Sequence, residues 1–133
     1  MEVAMIRALV MTHGNIGREL ISVVEMILGP VDGLESLSNS GRSSGDMQAD
    51  VAQWLSSGEN SDGEIVFIDD YGGSCANAAL LACGAGGERA IISGVNLAML
   101  LAYITWRDSG DHAELASRLV QKGRESIIFV SGR

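Results

Sequence analysis

The chain has 133 residues, 47% of them hydrophobic and 20% charged, with a net charge of −8. That length supports one domain with a single sizeable core, and the composition excludes a disordered chain. The acidic balance argues against nucleic acid as a partner, because phosphate backbones are bound by basic faces.

Met5 to Met11 reads as an apolar strand broken only by Arg7, and it runs straight into Thr12 and His13. Continuous apolar runs of this kind fit strands covered on both faces. From Asn15 the period changes, and Ile16, Leu20, Val23, Val24 and Ile27 share one helical face until Gly29-Pro30 stops it. Gly33 to Ser38 is a short strand, followed by a polar, turn-rich loop from Ser38 to Gly45. Met47, Val51, Trp54 and Leu55 form the next helical face, with Ser43 or Ser44 as its N-cap. Ser56 to Gly63 is a polar connection.

Glu64 to Asp69 is the clearest strand, β-branched and aromatic and ending in acid. The loop Asp69 to Ser74 leads into a small-residue helix from Cys75 to Cys83, which Gly84 to Gly87 breaks. Arg89 to Ser93 is another strand, Gly94 to Asn96 a turn, and Leu97 to Trp106 a strongly apolar helix. After the loop Asp108 to Gly110, Asp111 and Glu114 resemble a capping box. The helix they open carries Leu115, Leu119 and Val120 and is expected to end near Gly123. Ser126 to Val130 has strand composition, and a bare apolar tail strand needs something to pair with.

This alternation predicts an α/β fold of three layers, with a mostly parallel sheet between two layers of helices. With no internal repeat or linker, residues 1–133 read as a single domain. Cys75 and Cys83 lack Cys-x-x-Cys spacing, so neither a redox motif nor a metal site is expected, and both read as packing residues. The N-terminus, with Glu2, lacks the basic region and cleavage site of a secretion signal. No apolar run reaches the roughly 20 residues that span a bilayer. A reduced, cytoplasmic location is therefore expected.

In a parallel sheet the strands deliver their carboxyl ends to one edge, where ligands collect. The first strand brings Thr12 and His13 there, the third Asp69 and Asp70, and the fourth Ser93, Gly94 and Asn96. Phosphoryl transfer through histidine suits this set. A neutral imidazole is a good nucleophile near pH 7, and a carboxylate on its other nitrogen fixes the tautomer. His13 is the expected nucleophile and Asp69 its orienting partner. Thr12, Gly72, Gly73 and Ser74 are the expected phosphate contacts, since a Gly-Gly-Ser turn at a helix start offers backbone N–H groups and a hydroxyl. No metal or organic cofactor is required. His112 reads as a solvent-facing helix start, and Trp54, Tyr103 and Trp106 as core or interface. The glycine fingerprints of dinucleotide and nucleoside-triphosphate folds and the G-x-S-x-G elbow are missing from the sequence.

Ala8 to Gly14 (ALVMTHG), Glu25 to Gly29, Phe67 to Ser74 (FIDDYGGS) with Asn77, Ile92 to Leu100 (ISGVNLAML) and Gly123-Arg124-Glu125 together resemble one family. It is the mannose-type IIA domain of the phosphoenolpyruvate:sugar phosphotransferase system. The resemblance runs through nearly the whole chain. It implies a phosphotransferase component whose His13 takes a phosphoryl group from the phosphohistidine of the carrier HPr and passes it to a IIB component. The Asp69 position implies a hydrogen bond to that histidine, and Ser74 a place near the phosphate. It also implies a homodimer that exchanges its C-terminal strand, here Ile127 to Val130, and at most a peripheral association with a membrane permease. A regulatory module that binds a protein target according to phosphorylation state is the alternative. Three departures stand out: Asp70 for an uncharged residue, Ala98 for a proline, and Cys75-Ala76 for a Pro-Phe-like pair. A second carboxylate about 6 Å from the site, at an effective dielectric near 20, would cost an incoming phosphate about 2–3 kcal/mol.

Overall fold

The computed structural model describes residues 5–58, 61–84, 88–108 and 110–132. Expectations for Glu2, for residues 59–60 and 85–87, and for Ser109 lie outside the described residues. The elements run β1 (Ile6–Thr12), α1 (Ile16–Leu28), β2 (Leu34–Ser38), α2 (Ser44–Ser56), β3 (Gly63–Ile68), α3 (Ser74–Cys83), β4 (Arg89–Ser93), α4 (Leu97–Trp106) and α5 (His112–Glu125).

The four strands form one parallel sheet in the order β2-β1-β3-β4. Its central strands are mostly apolar because both faces are covered, and the Arg7 and Glu64 side chains they carry pair with each other at 3.7 Å. On one face Ile6, Ala8, Val10, Ile65 and Phe67 pack against Val24 of α1, Leu100 and Tyr103 of α4, and Leu115 and Leu119 of α5. On the other, Leu9, Met11, Val66 and Ile68 meet Met47, Val51 and Trp54 of α2 and Cys75, Ala76 and Ala79 of α3. The three-layer α/β expectation therefore holds. No helix among the described residues is long and apolar enough to cross a membrane.

Local choices differ from the sequence expectation in two places. The buried side of α1 is Gly17, Leu20, Ile21 and Val24, while Ile16 and Ile27 are exposed. The helix is turned by Gly17, where an added Cβ would stand 3.0 Å from the Val10 carbonyl and 3.2 Å from Thr12 Oγ1. Bare backbone at this position lets α1 sit directly on β1, which leaves Ile16 and Ile27 on the outer side. Helix α5 does not end at Gly123 but runs to Glu125. Gly123 is a buried interior residue whose Cβ would meet Met99 Cε at 2.7 Å and Asn96 Nδ2 at 3.1 Å. It gives the start of α4 room against α5 and does not stop the helix. Residues 127–130, expected to pair with a partner subunit, form no strand within a single chain. Ile127, Ile128, Phe129 and Val130 are each at least 75% exposed.

Ser43 is the N-cap of α2, in a full capping box with Asp46. The Asp111 side chain accepts the Glu114 N–H at the start of α5. Tyr103 is fully buried, its ring edge-on to Phe67 and its hydroxyl donating to the Ile6 carbonyl at 2.5 Å. Trp54 is buried beneath the Arg7 guanidinium, 4.3 Å from its ring centre.

Candidate active site

The strand order reverses between β1 and β3: the chain leaves β1 for β2 on one side and returns to β3 on the other. In open α/β sheets the crevice beyond such a switch point is where ligands bind. The register pairs Met11 with Ile68, so the residues that follow, Thr12-His13 and Asp69, leave the sheet side by side.

His13 and Asp69 meet there. Asp69 Oδ2 accepts the His13 backbone N–H at 3.1 Å and lies 3.0 Å from ring Nδ1. Asp69 Oδ1 accepts the Asp70 N–H at 3.0 Å. Partial burial pushes the Asp69 carboxyl up, but the hydrogen bonds from the His13 backbone and ring outweigh it and hold Asp69 below the ordinary carboxylate range. An ionised carboxylate only accepts, so the shared bond puts the ring proton on Nδ1 and leaves the Nε2 lone pair free. The His13 side chain is 46% exposed and that of Asp69 16%. The imidazole is open to solvent, and the carboxylate that holds it is sheltered.

The other edge of the ring lies over the start of α3. A Cβ on Gly73 would stand 3.3 Å from His13 Cε1 and 3.5 Å from Nε2. Gly73 is the N-cap of α3, and no side chain caps this end among the described residues. The first hydrogen bond of the helix is Asn77 N–H to the Gly73 carbonyl, at 3.2 Å. The N–H groups of the first turn therefore have no helical acceptor and face the same end as His13. Together with the helix dipole they favour an anion beside Nε2.

Gly72 is exposed with open space around it, and Ser74 begins the helix half-buried. Thr12 departs from expectation. It is fully buried, and its hydroxyl accepts the Gly17 N–H at 2.8 Å. It fastens α1 to β1 beneath the site and makes no part of the anion pocket. Asp70 is exposed, so solvent screens its charge and the repulsion expected from it is reduced. Asn96 is drawn away by its own helix. It caps α4 by accepting the Met99 N–H at 3.0 Å, and its amide reaches the Gly123 carbonyl at 3.5 Å. Ser93 and Gly94 are exposed at the end of β4.

Two residues join the site that the sequence reading did not place there. Asn39 ties the β2 loop to the histidine turn, accepting the Gly14 N–H on its side chain at 3.0 Å and donating its own N–H to the Thr12 carbonyl at 3.1 Å. Gly14, at φ 55°, makes the turn that allows this. An Asn in a turn-rich loop just past a strand neighbouring β1 was the available signal. Cys75 is the second: fully buried, its Sγ lies within 4.8 Å of donor atoms of both His13 and Asp69. Burial pushes its thiol up, and the Asp69 charge adds to the effect.

The sequence profile of the family described as PTS system fructose IIA component matches residues 7–122. Among solved structures, the mannose/sorbose-specific IIA subunit of the phosphotransferase system from Enterococcus faecalis superposes with a TM-score of 0.83 at 25% identity, covering 96% of each chain. The phosphotransferase system component EIIA from Streptococcus agalactiae gives 0.84 at 23% identity, over 94% of this chain and 97% of that one. The IIA protein associated with the fucose utilization operon of Streptococcus pneumoniae gives 0.78 at 23% identity, over 97% and 96%. At that identity the latter two speak for the fold alone. No curated protein matches the chain by sequence.

Proposed function

The chain belongs to the fructose/mannose-type IIA family of the sugar phosphotransferase system, and on that premise we propose that it is a phosphocarrier acting through a phosphohistidine at His13. The observation that carries this is the pair of contacts made by one ring. Asp69 holds Nδ1 at 3.0 Å, and Nε2 faces the uncapped start of α3 across Gly73.

In the proposed reaction Nε2 attacks the phosphorus of a phosphohistidine on HPr. A new P–N bond forms as the old one breaks, and the electron pair of the old bond returns to the carrier's imidazole. Positive charge develops on the His13 ring, and the Asp69 carboxylate stabilises it without taking the Nδ1 proton. The phosphoryl oxygens sit against the first-turn N–H groups of α3, with Gly72, Gly73 and Ser74 shaping the cradle. One P–N bond replaces another, so the transfer is near balance, and the phosphoryl group stays available for attack by a IIB nucleophile, with the bonding pair returning to His13 Nε2. Incubation with phosphoenolpyruvate, enzyme I and HPr tests this: His13 gains a single acid-labile phosphate, and IIB removes it within a catalytic cycle. A phosphate that persists on His13 in the presence of IIB supports the regulatory-module reading instead.

The same proposal includes a homodimer. The exposed tail from Ile127 to Val130 has the composition of a strand, and β4 closes the described sheet with one edge unpaired. Each tail pairing with the partner's β4 would cover both liabilities at once.

A further inference from the structure

Cys75 is the second residue of α3 and points inward, where its thiol, the His13 imidazole and the Asp69 carboxylate lie within 4.8 Å of one another. We propose that these three side chains bind a thiophilic divalent cation of the zinc class, and that this ion competes with the phosphoryl group for His13.

The donor set is one thiolate, one imidazole and one carboxylate, the mixture zinc prefers. Zinc–ligand bonds of about 2.0–2.3 Å in a tetrahedron place neighbouring donors about 3.5 Å apart. His13 and Asp69 are already adjacent, joined at 3.0 Å by a hydrogen bond that the ion would replace or leave on the far side of the ring. Side-chain rotations that bring Cys75 about 1 Å closer complete three corners. The half-open His13 edge leaves the fourth corner to water and gives the ion a way in. On binding, the Cys75 thiol releases its proton to solvent and a sulfur–metal bond forms; nothing is oxidised or reduced. The ligands come from three separate segments, which is why no Cys-His spacing announces them.

Either ring nitrogen gives the same consequence. An ion on Nε2 occupies the lone pair that attacks phosphorus. An ion on Nδ1 displaces the bond to Asp69 and moves the ring proton to Nε2, where it takes up the attacking lone pair. Inhibition rests on the phosphocarrier reading, whereas ligation does not, and the two are measured separately.

Cobalt(II), which reports its own ligands, is titrated into the protein under reducing conditions, and zinc is then added to displace it. The expected result is a thiolate-to-cobalt charge-transfer band with one equivalent bound. Cys75→Ala is expected to lose the band and weaken zinc binding by at least about 100-fold, beyond the cost of losing an outer partner. Cys83→Ala is expected to keep both, since that thiol lies at the far end of α3. Circular dichroism verifies that each variant is folded. A second substitution, His13→Ala, weakens binding while leaving Cys75 in place, and so covers a Cys75 variant that fails to fold. Absence of a thiolate band in the folded wild type, or zinc binding unchanged in either variant, overturns the proposal. In the transfer assay zinc slows labelling of the wild type at least about 10-fold, and chelator restores it. Labelling unaffected by bound zinc overturns the competition. Failure of labelling without zinc, alongside an intact cobalt spectrum, counts against the phosphocarrier reading alone.

Discussion

Replacing Asp69 separates orientation from charge. Its Oδ2 accepts two hydrogen bonds from one residue, the His13 backbone N–H at 3.1 Å and ring Nδ1 at 3.0 Å. A hydrogen bond to a charged group is worth about 1.5–3 kcal/mol. The ring bond strengthens as positive charge develops on the imidazole, so its loss raises the barrier by about that amount. Asp69→Ala therefore lowers kcat/KM for transfer from phospho-HPr by about 10- to 150-fold. Asp69→Asn keeps an acceptor for His13 but sets its NH2 group against the Asp70 N–H that Oδ1 accepts. The backbone N–H selects the amide oxygen as the atom facing His13, so the tautomer survives and the charge is removed. Its rate falls between wild type and Asp69→Ala. Rapid-quench measurement of phospho-protein formation gives all three rates, and thermal melting verifies that the variants are folded. A folded Asp69→Ala protein transferring at the wild-type rate refutes the assignment. An Asn variant as slow as Ala would place the whole effect in the carboxylate's charge.

Gly73→Ala has an extended N-cap backbone to accept it, at φ −107°, but its methyl group would press on the His13 ring at 3.3 Å. Transfer is expected to slow several-fold with the melting temperature nearly unchanged, as read by the same quench assay. Burial pushes the Tyr103 hydroxyl up to about 12 from an ordinary 10. A raised tyrosine stabilises the fold fully below about pH 10 and loses that contribution as pH rises towards 12, a loss of about 2–3 kcal/mol. Denaturant titrations at pH 9 and 11.5 will show it, and Tyr103→Phe will flatten the difference. Removing the α2 capping box with Ser43→Ala should cost about 1 kcal/mol in the same titrations. A chain ending at Ser126 is expected to elute as a monomer on a sizing column; a well-folded dimer refutes strand exchange.

The sheet and its helices were legible because the signals were strong and local. Ile65 to Ile68 is buried on both faces, and the apolar run from Ala8 ends abruptly at His13. The His13–Asp69 pair followed once the sheet was taken as parallel, since strand ends then converge. What escaped depended on close approaches that no period encodes. Gly17 rotates α1 against Val10, and Gly123 sits inside α5 against Met99. Thr12 looked like a phosphate contact from its place beside His13. Alternation along the strand sends its side chain inward, where it meets the Gly17 N–H. Asn39 and Asn96 are both asparagines at strand-end loops, yet one braces the site and the other caps a helix. That distinction lies in the packing of neighbouring elements. Cys75 read as packing, and it does pack; its nearness to His13 and Asp69 comes from where α3 begins.

The most direct test is intact-mass spectrometry after incubation with phosphoenolpyruvate, enzyme I and HPr, with His13→Ala alongside. The proposed mechanism predicts one acid-labile phosphate on the wild type and none on the variant. An unlabelled wild type beside fully phosphorylated HPr, or a variant that labels equally well, would contradict it.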